Sequence, residues 1–295
     1  MSETSLEGLI GEVHKRFDAA GLSYGHGTDN PWDEAVSLVL HVTGCPDDTA
    51  VLAQMVSGAV VQRVRDVAAQ RIQTRQPLPY LLGVCHYMGL EFEIEPGVIV
   101  PRSPIGYLLQ EGLAPWLPDR IERIADLCCG SGCLGIVSAH CFPQAQVTMV
   151  ELDEQACALA QRNIVRHDMN ERVDVVLGDA TAPAKADKPF DLIISNPPYV
   201  DAADMTSLPP EFQAEPRRAL AAGDDGLAVM RGILQNLPGW LAEDGIFVGE
   251  VGGSAPALIR EFPEMPFIWL DLPLGGEGVF LLEAGELTSH TAPVL

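Results

Sequence analysis

Asn196, Pro197, Pro198 and Tyr199 stand in a row directly after the apolar run Leu192-Ile-Ile-Ser195. Two consecutive prolines fix two φ angles, remove two N–H groups and disfavour helix at the residue before them. Carbonyl groups in such a segment have no competing local donors. Asn196 adds a side-chain carbonyl acceptor, and Tyr199 adds a ring that can stack on a flat group. Together they form a rigid receptor for a planar –NH2 group. The plainer alternative is a proline-rich turn with a core tyrosine.

A second constellation lies upstream. Asp126-Leu-Cys-Cys-Gly130-Ser-Gly132-Cys-Leu-Gly135 follows an apolar run and opens a helical stretch. Glycines there allow a tight turn and close approach of the backbone to a ligand. The spacing Gly130-x-Gly132-x-x-Gly135 points to a nucleoside-containing cofactor without saying which one. Glu151, directly after Val150 at the end of the next apolar run, could accept both hydroxyls of a ribose, with Asp153 as its competitor. The alternative is that the glycines serve only strand–helix packing.

These residues need elements to hold them. From about residue 105 the apolar segments Ile124–Leu127, Val147–Val150, Val173–Leu177, Leu192–Ser195 and Ile246–Glu250 read as strands. Helical stretches such as Gln155 to Arg166 and Gly226 to Leu237 separate most of them, the mark of a doubly wound α/β sheet of parallel strands. Phe267–Leu270 and Gly278–Leu282 read as a closing antiparallel pair. Ligands of such sheets bind beyond the carboxyl ends of the strands, where strand order reverses.

The chain before that point reads differently. Leu6, Leu9, Ile10, Val13 and Phe17 recur at helical spacing, Pro31-Trp-Asp-Glu34 opens a second helix, and residues 48 to 74 form a third helical stretch. Leu90 to Glu95 alternates apolar and acidic residues before Pro96-Gly97, and Val98-Ile-Val100 follows, which reads as a hairpin. The expected division is a helical domain over 1–76, a β-hairpin linker over 77–104 and an α/β domain over 105–295.

Composition sets the outer bounds. The chain has 295 residues, 47% of them hydrophobic, which is too apolar for a disordered chain. No apolar stretch approaches the ~18 residues of a membrane span, and Met1 to Ser5 lacks the basic start of a secretory signal. A cytoplasmic protein with no membrane association is expected. A net charge of −23, with acidic residues in excess on both sides of residue 112, repels phosphate backbones and favours basic partners. Direct DNA binding is therefore not expected. The odd count of seven cysteines argues for reduced thiols rather than a disulfide framework. Cys128-Cys129-x3-Cys133 lacks the paired spacing of zinc sites, so no metal is expected.

The pair Asp126…Gly130-Ser131-Gly132 and Asn196-Pro-Pro-Tyr199 resembles that of class I S-adenosylmethionine-dependent methyltransferases acting on amide or amino nitrogens. More narrowly it is similar to the bacterial protein-glutamine methyltransferases, with Glu215-Pro216, Ala222-Gly-Asp-Asp-Gly-Leu227 and Glu250-Val-Gly252 as further matches. That family has a helical N-terminal domain, a hairpin linker and a seven-stranded methyltransferase domain. Its branches modify peptide-chain release factors or a large-subunit ribosomal protein, and Val98-Ile-Val-Pro-Arg-Ser-Pro-Ile105 looks like the branch that acts on ribosomal protein L-three. A basic ribosomal protein suits the acidic chain.

The resemblance implies roles. S-adenosylmethionine would be the methyl donor, held by Asp126, Cys128, Gly130, Ser131, Gly132, Glu151, Asp179 and Asn196. Within that set, Asp126 would meet its ammonium, Glu151 its ribose and Asp179 its adenine. Asn196, Pro197, Pro198 and Tyr199 would bind the glutamine, with Asn196, Pro197 and Tyr199 catalytic and Tyr199 packed on the amide or cofactor. Two departures stand out: Cys128 replaces the family's first loop glycine, and Ala180 replaces the aromatic residue common in the release-factor branch. Arg102 could tie down the linker or contact substrate. A nucleic-acid amino-methyltransferase shares the Asn-Pro-Pro-aromatic logic but needs basic surface. A nicotinamide oxidoreductase would leave Asn196 to Tyr199 unexplained. A non-catalytic assembly factor would have no use for an intact motif.

Overall fold

Sequence periodicity and burial agree from the first helix onward. The computed structural model describes residues 3–117, 120–182, 188–272 and 276–287, so the ends of the expected first and last domains, residues 1–2 and 288–295, lie outside it. After a two-residue strand β1 (Thr4–Ser5), α1 (Leu6–Ala19) buries Leu6, Leu9, Ile10, Val13 and Phe17. The Ser5 hydroxyl caps it by accepting the Gly8 N–H at 3.1 Å. Helix α2 (Pro31–Thr43) starts at an Asn30 cap and stops at the left-handed Gly44.

The third helical stretch is shorter than its spacing predicts. Asp48 caps only a 3-10 turn, Thr49–Val51, and the chain then extends as β2 (Met55–Val56), antiparallel to β1. The free N–H groups that open α1 decide this: Leu6 donates to the Gln54 carbonyl at 2.9 Å and Glu7 to Leu52 at 3.0 Å. Helix α3 therefore spans Gly58–Thr74, followed by α4 (Leu78–Leu82).

The hairpin also lies earlier than expected. Strand β4 (Leu90–Glu93) pairs back with β3 (Val84–Tyr87), not forward with Val98–Val100. Its two-residue turn is Met88-Gly89, both at positive φ (51° and 78°), the geometry of a tight hairpin turn. No Asn-Gly or Asp-Gly announces it. Val98 and Val100 are buried without joining a strand.

The remainder alternates strand and helix: α5 (Ile105–Gln110), β5 (Arg123–Leu127), α6 (Cys133–Cys141), β6 (Gln146–Glu151), α7 (Glu154–Arg166), β7 (Val173–Leu177) and β8 (Phe190–Ser195). Short helices α8 (Asp204–Ser207) and α9 (Pro210–Gln213) precede α10 (Ala228–Trp240), β9 (Leu241–Glu250), α11 (Ala255–Glu261), β10 (Ile268–Trp269), β11 (Val279–Glu283) and α12 (Ala284–Leu287). The seven strands run in the order β10-β11-β9-β8-β5-β6-β7. β7, β6, β5, β8 and β9 are parallel, while β11 is antiparallel to both β9 and β10.

Alternate strand residues face opposite layers. Ile124, Val147, Met149, Ile194 and Val248 pack with α5, α6 and α7, and Ala125, Leu127, Val150, Ile193 and Phe247 pack with α10 and α11. The chain leaves β5 for β6 and later returns to its other side as β8, so strand order reverses at the β5/β8 pair. Both chemical motifs follow these two strands. No helix among the described residues is long and apolar enough to cross a membrane.

A buried charge network joins the helical part to the loop after β8. Arg71 is fully buried; its Nε donates to Glu34 at 2.8 Å, and its guanidinium lies 3.5 Å from Glu211 at the start of α9. Arg75 pairs with the same Glu211 oxygen at 2.8 Å, and the Ser23 N–H donates to it at 3.1 Å. Removing one member of a buried pair strands the others. Arg71→Ala is expected to lower the unfolding free energy by about 3–5 kcal/mol, read from urea unfolding; a loss below about 1 kcal/mol, the range of a surface pair, would contradict this role.

Candidate active site

The loop after β5 is folded by its own N–H groups. Cys128 and Cys129 both donate to the Val150 carbonyl, at 2.9 and 3.2 Å. Gly130 donates to Glu151 Oε2 at 2.8 Å, and the other oxygen of that carboxylate accepts the Asp153 N–H at 3.0 Å. Three residues here have positive φ: Cys128 (64°), Gly130 (57°) and Gly132 (81°). Cys128 thus keeps the left-handed turn of the glycine it replaces, at the strain such a backbone costs a side chain. Burial pushes its thiol well above the usual range.

The three spaced glycines divide their work. Gly130 lines an open cavity, its nearest obstacle to an added methyl being Ile99 at 3.4 Å. A Cβ on Gly132 would meet Met149 at 3.0 Å and Ala160 at 3.1 Å, and one on Gly135 would collide with Met149. Those two permit close packing of α6 against β6 and α7. The packing reading of the glycine spacing therefore applies to Gly132 and Gly135, while Gly130 faces open space.

Asp126 and Ser131 sit beneath the loop. Asp126 is fully buried, accepts the Gly135 N–H at 2.8 Å through one oxygen and leaves the other unpartnered. Burial, only partly offset by that N–H, raises its pKa to about 7. Ser131 is buried too, and its carbonyl accepts from Asn163 Nδ2 at 2.9 Å. Asn163 also exchanges hydrogen bonds with the Glu93 backbone, clamping the hairpin to the loop. Asp126, Ser131 and Gly132 are not among the residues that line the cavity. Asp126 supports the turn from below.

The cavity, of roughly 260 Å³, opens beyond the ends of β5, β6 and β8. Cys128, Glu151, Asp153, Asp179 and Asn196 supply its polar wall, and Val98, Ile99, Leu152, Ala180 and Val229 its apolar wall. Asp153 is engaged elsewhere: it caps α7 through Ala156 N at 2.9 Å and pairs with Arg218 at 2.5 Å. That leaves Glu151 as the strand-end carboxylate facing the space. Asp179 caps its own loop, accepting from Thr181 N and Oγ1 at 2.8 and 2.7 Å, and also forms part of the cavity wall. Leu152 is 72% exposed at the rim. Its place after the carboxylate was a usable signal, whereas Val98, Ile99, Pro216 and Arg218 come from distant segments that carry none. Among the described residues no group of three or more His, Cys, Asp or Glu is poised to hold a metal.

Asn196 and Pro198 reach the same cavity, while Pro197 is buried behind them. Tyr199 does not line it. The phenol donates to Glu250 Oε1 at 3.0 Å, and the ring lies where a Cβ on Gly252 would stand 2.6 Å from it. Its hydroxyl is thus committed to a buried carboxylate. Backbone bonds continue the anchorage, with Ser254 Oγ donating to the Tyr199 carbonyl at 2.8 Å and Val200 bridging Leu220 and Ala222.

Arg102 takes the structural of its two readings. It grips Glu215 with both terminal nitrogens at 2.7 Å, while Val100 N donates to the same carboxylate at 3.0 Å. Burial alone would raise the Glu215 pKa, but the His26 ring, 3.4 Å from Oε2, and the Arg102 fork outweigh it and hold it at about 2. A folded-state pKa below the ordinary 4.5 means that the stabilisation is complete above that value and is lost as pH falls toward 2. Denaturant titrations are expected to show about 3 kcal/mol of this loss in wild type across that window. Glu215→Gln should show a correspondingly flatter pH dependence.

Residues 110–236 match the family model of the methyltransferase small domain. The chain is 39% identical over 278 residues to a ribosomal protein uL3 glutamine methyltransferase of Francisella tularensis, covering 92% of this chain and 88% of that protein. It is 40% identical over 291 residues to the protein of the same name from Bordetella pertussis, covering 97% of each. Among solved structures, the hMettl16 catalytic domain superposes with a TM-score of 0.51 at 14% identity, over 78% of this chain and 84% of that one, a likeness of fold alone. At such identity over nearly the full length, the chain belongs to the ribosomal protein uL3 glutamine methyltransferase family.

Proposed function

We propose that this enzyme transfers a methyl group from S-adenosylmethionine to the side-chain amide nitrogen of a glutamine in ribosomal protein uL3. The supporting observation is one juxtaposition: Asn196 and Pro198 border the same cavity as Gly130 and Glu151. The residues present fit the cofactor. Gly130 leaves its backbone uncovered, Glu151 offers a carboxylate to a ribose diol, Asp179 lies just after β7 for an adenine amino group, and apolar side chains line the space between. When bound, S-adenosylmethionine supplies an electrophilic methyl carbon on a sulfonium.

The difficulty is the amide. Its nitrogen lone pair is delocalised into the carbonyl, and no carboxylate base deprotonates it usefully near neutral pH. Position and polarisation must supply the rate. The Asn196 side-chain carbonyl and the Pro197 backbone carbonyl each accept one amide N–H and so aim the nitrogen. The nitrogen's bond to the methyl carbon would form as the carbon–sulfur bond breaks with its electron pair passing to sulfur, and one N–H proton would then be released to solvent water. As the nitrogen gains positive character its N–H groups become stronger donors, so both hydrogen bonds are tighter in the transition state than before it. Alignment of two reactants supplies on the order of 7–11 kcal/mol. Each charge-assisted bond adds roughly 1.5–3 kcal/mol, so alignment is the larger contribution. Pro198 forms cavity wall that excludes water, and the anchored Tyr199 keeps the acceptors rigid.

The proposed division of the chain keeps substrate recognition in 1–76, the linker in 77–104 and methyl transfer in 105–295, with the protein working in the cytoplasm where ribosomes assemble. A net charge of −23 suits a basic ribosomal protein and disfavours nucleic acid. With purified uL3 as substrate, Asn196→Ala should retain cofactor binding by calorimetry and lose about a hundredfold or more in kcat. Full activity in that variant would remove Asn196 from the mechanism. Methylation of release factors or of DNA in place of uL3 would redirect the substrate assignment.

A further inference from the structure

Glu250, the last residue of β9, is buried, and each of its carboxylate oxygens is taken by a hydroxyl. Oε1 accepts from Tyr199 at 3.0 Å and Oε2 accepts from Ser103 at 2.6 Å. One donor belongs to the Asn-Pro-Pro-Tyr segment and the other to the linker, beside the Arg102 that grips Glu215. Neither donor is a neighbour in sequence, and Glu250 does not line the cavity. A carboxylate kept this far from water is retained only where hydrogen bonds hold it.

Tyr199 has little freedom left. Gly252 seats its ring, Ser254 holds its carbonyl and Glu250 holds its hydroxyl. Between Tyr199 and Asn196 lie two prolines with fixed φ, so a fixed Tyr199 leaves few torsions by which the Asn196 and Pro197 carbonyls could turn. We infer that Glu250 is a positioning residue: by anchoring Tyr199 it sets the aim of the two amide acceptors, and by accepting from Ser103 it ties that aim to the linker. The inference rests on the acceptor roles proposed above and extends them to a residue outside the cavity.

Glu250→Gln keeps the size but replaces one acceptor oxygen with a donor, so one of the two hydroxyls loses its partner. With S-adenosylmethionine and purified uL3, kcat is expected to fall about 10–100-fold. The KM and calorimetric Kd for the cofactor should stay within about twofold, because uniform binding is untouched. Tyr199→Phe should give a similar loss, and the double variant should lose no more than either single one. Losses that multiply, or an E250Q enzyme with undiminished kcat, would overturn the inference while leaving the methyltransferase reading intact. A reduced fraction of cofactor-binding sites at unchanged kcat per site would show a role in folding only, and would overturn it too. Wild type that binds cofactor without methylating any glutamine would overturn the underlying reading, and this inference with it. Should E250Q fail to fold, Tyr199→Phe and Ser103→Ala carry the test, since their effects on kcat must then be coupled rather than independent.

Discussion

Pro197 and Pro198 give the segment after β8 its stiffness and deny it the means of holding itself. Residues without N–H groups cannot donate to a strand ladder, so what fixes the segment must come largely from outside. The surroundings meet this in sequence: Ser195 Oγ donates to Leu127 O at 2.7 Å before the motif, Ser254 and Glu250 hold Tyr199, and Val200 pairs with Leu220 and Ala222 beyond it. The donors and acceptors come from β5, β9, the turn after β9 and the loop before α10. A rigid receptor for a flat amide therefore requires the whole carboxyl edge of the sheet.

The same edge explains the placement of buried charge. Glu211, Glu215 and Glu250 are all buried polar residues, and each joins the motif's neighbourhood to another part of the chain. Glu211 reaches Arg71 and Arg75 of the helical part, Glu215 reaches Arg102 and His26, and Glu250 reaches Ser103. Buried pairs of this kind add little to stability compared with apolar packing, but they are unforgiving about geometry. Here they couple the helical part and the linker to the residues that would grip the substrate. A displacement on one side has a direct mechanical route to the other.

The strand-terminal motifs were legible because their chemistry is local. Asn196 to Tyr199 and Gly130 to Glu151 needed only the rule that loops follow parallel strands. The period-2 and helical patterns likewise located five parallel strands and the longer helices, but not the short ones α4, α5, α8, α9, α11 and α12. The failures have a common cause. The hairpin turn at Met88-Gly89 lacked the usual Asn-Gly signal, and the break before α3 depended on acceptors needed by the first turn of α1. The bond between Asp126 and Gly135 N exists because the alternation of β5 turns the carboxylate toward α6, which neighbouring residues do not announce. Tyr199 could be read as a stacking ring but not as a residue bonded to Glu250, which lies 51 positions away.

The sequence alone determined which groups are present and which carbonyls are freed, because proline, glycine and side-chain chemistry act over a few bonds. It determined the alternation of elements, because apolar spacing records which face each one buries. Tertiary structure decided which glycine faces the cavity, which backbone N–H groups each carboxylate accepts, and what holds the tyrosine. Those outcomes depend on contacts between residues dozens to more than a hundred positions apart, and such contacts exist only once the sheet has brought its strand ends together.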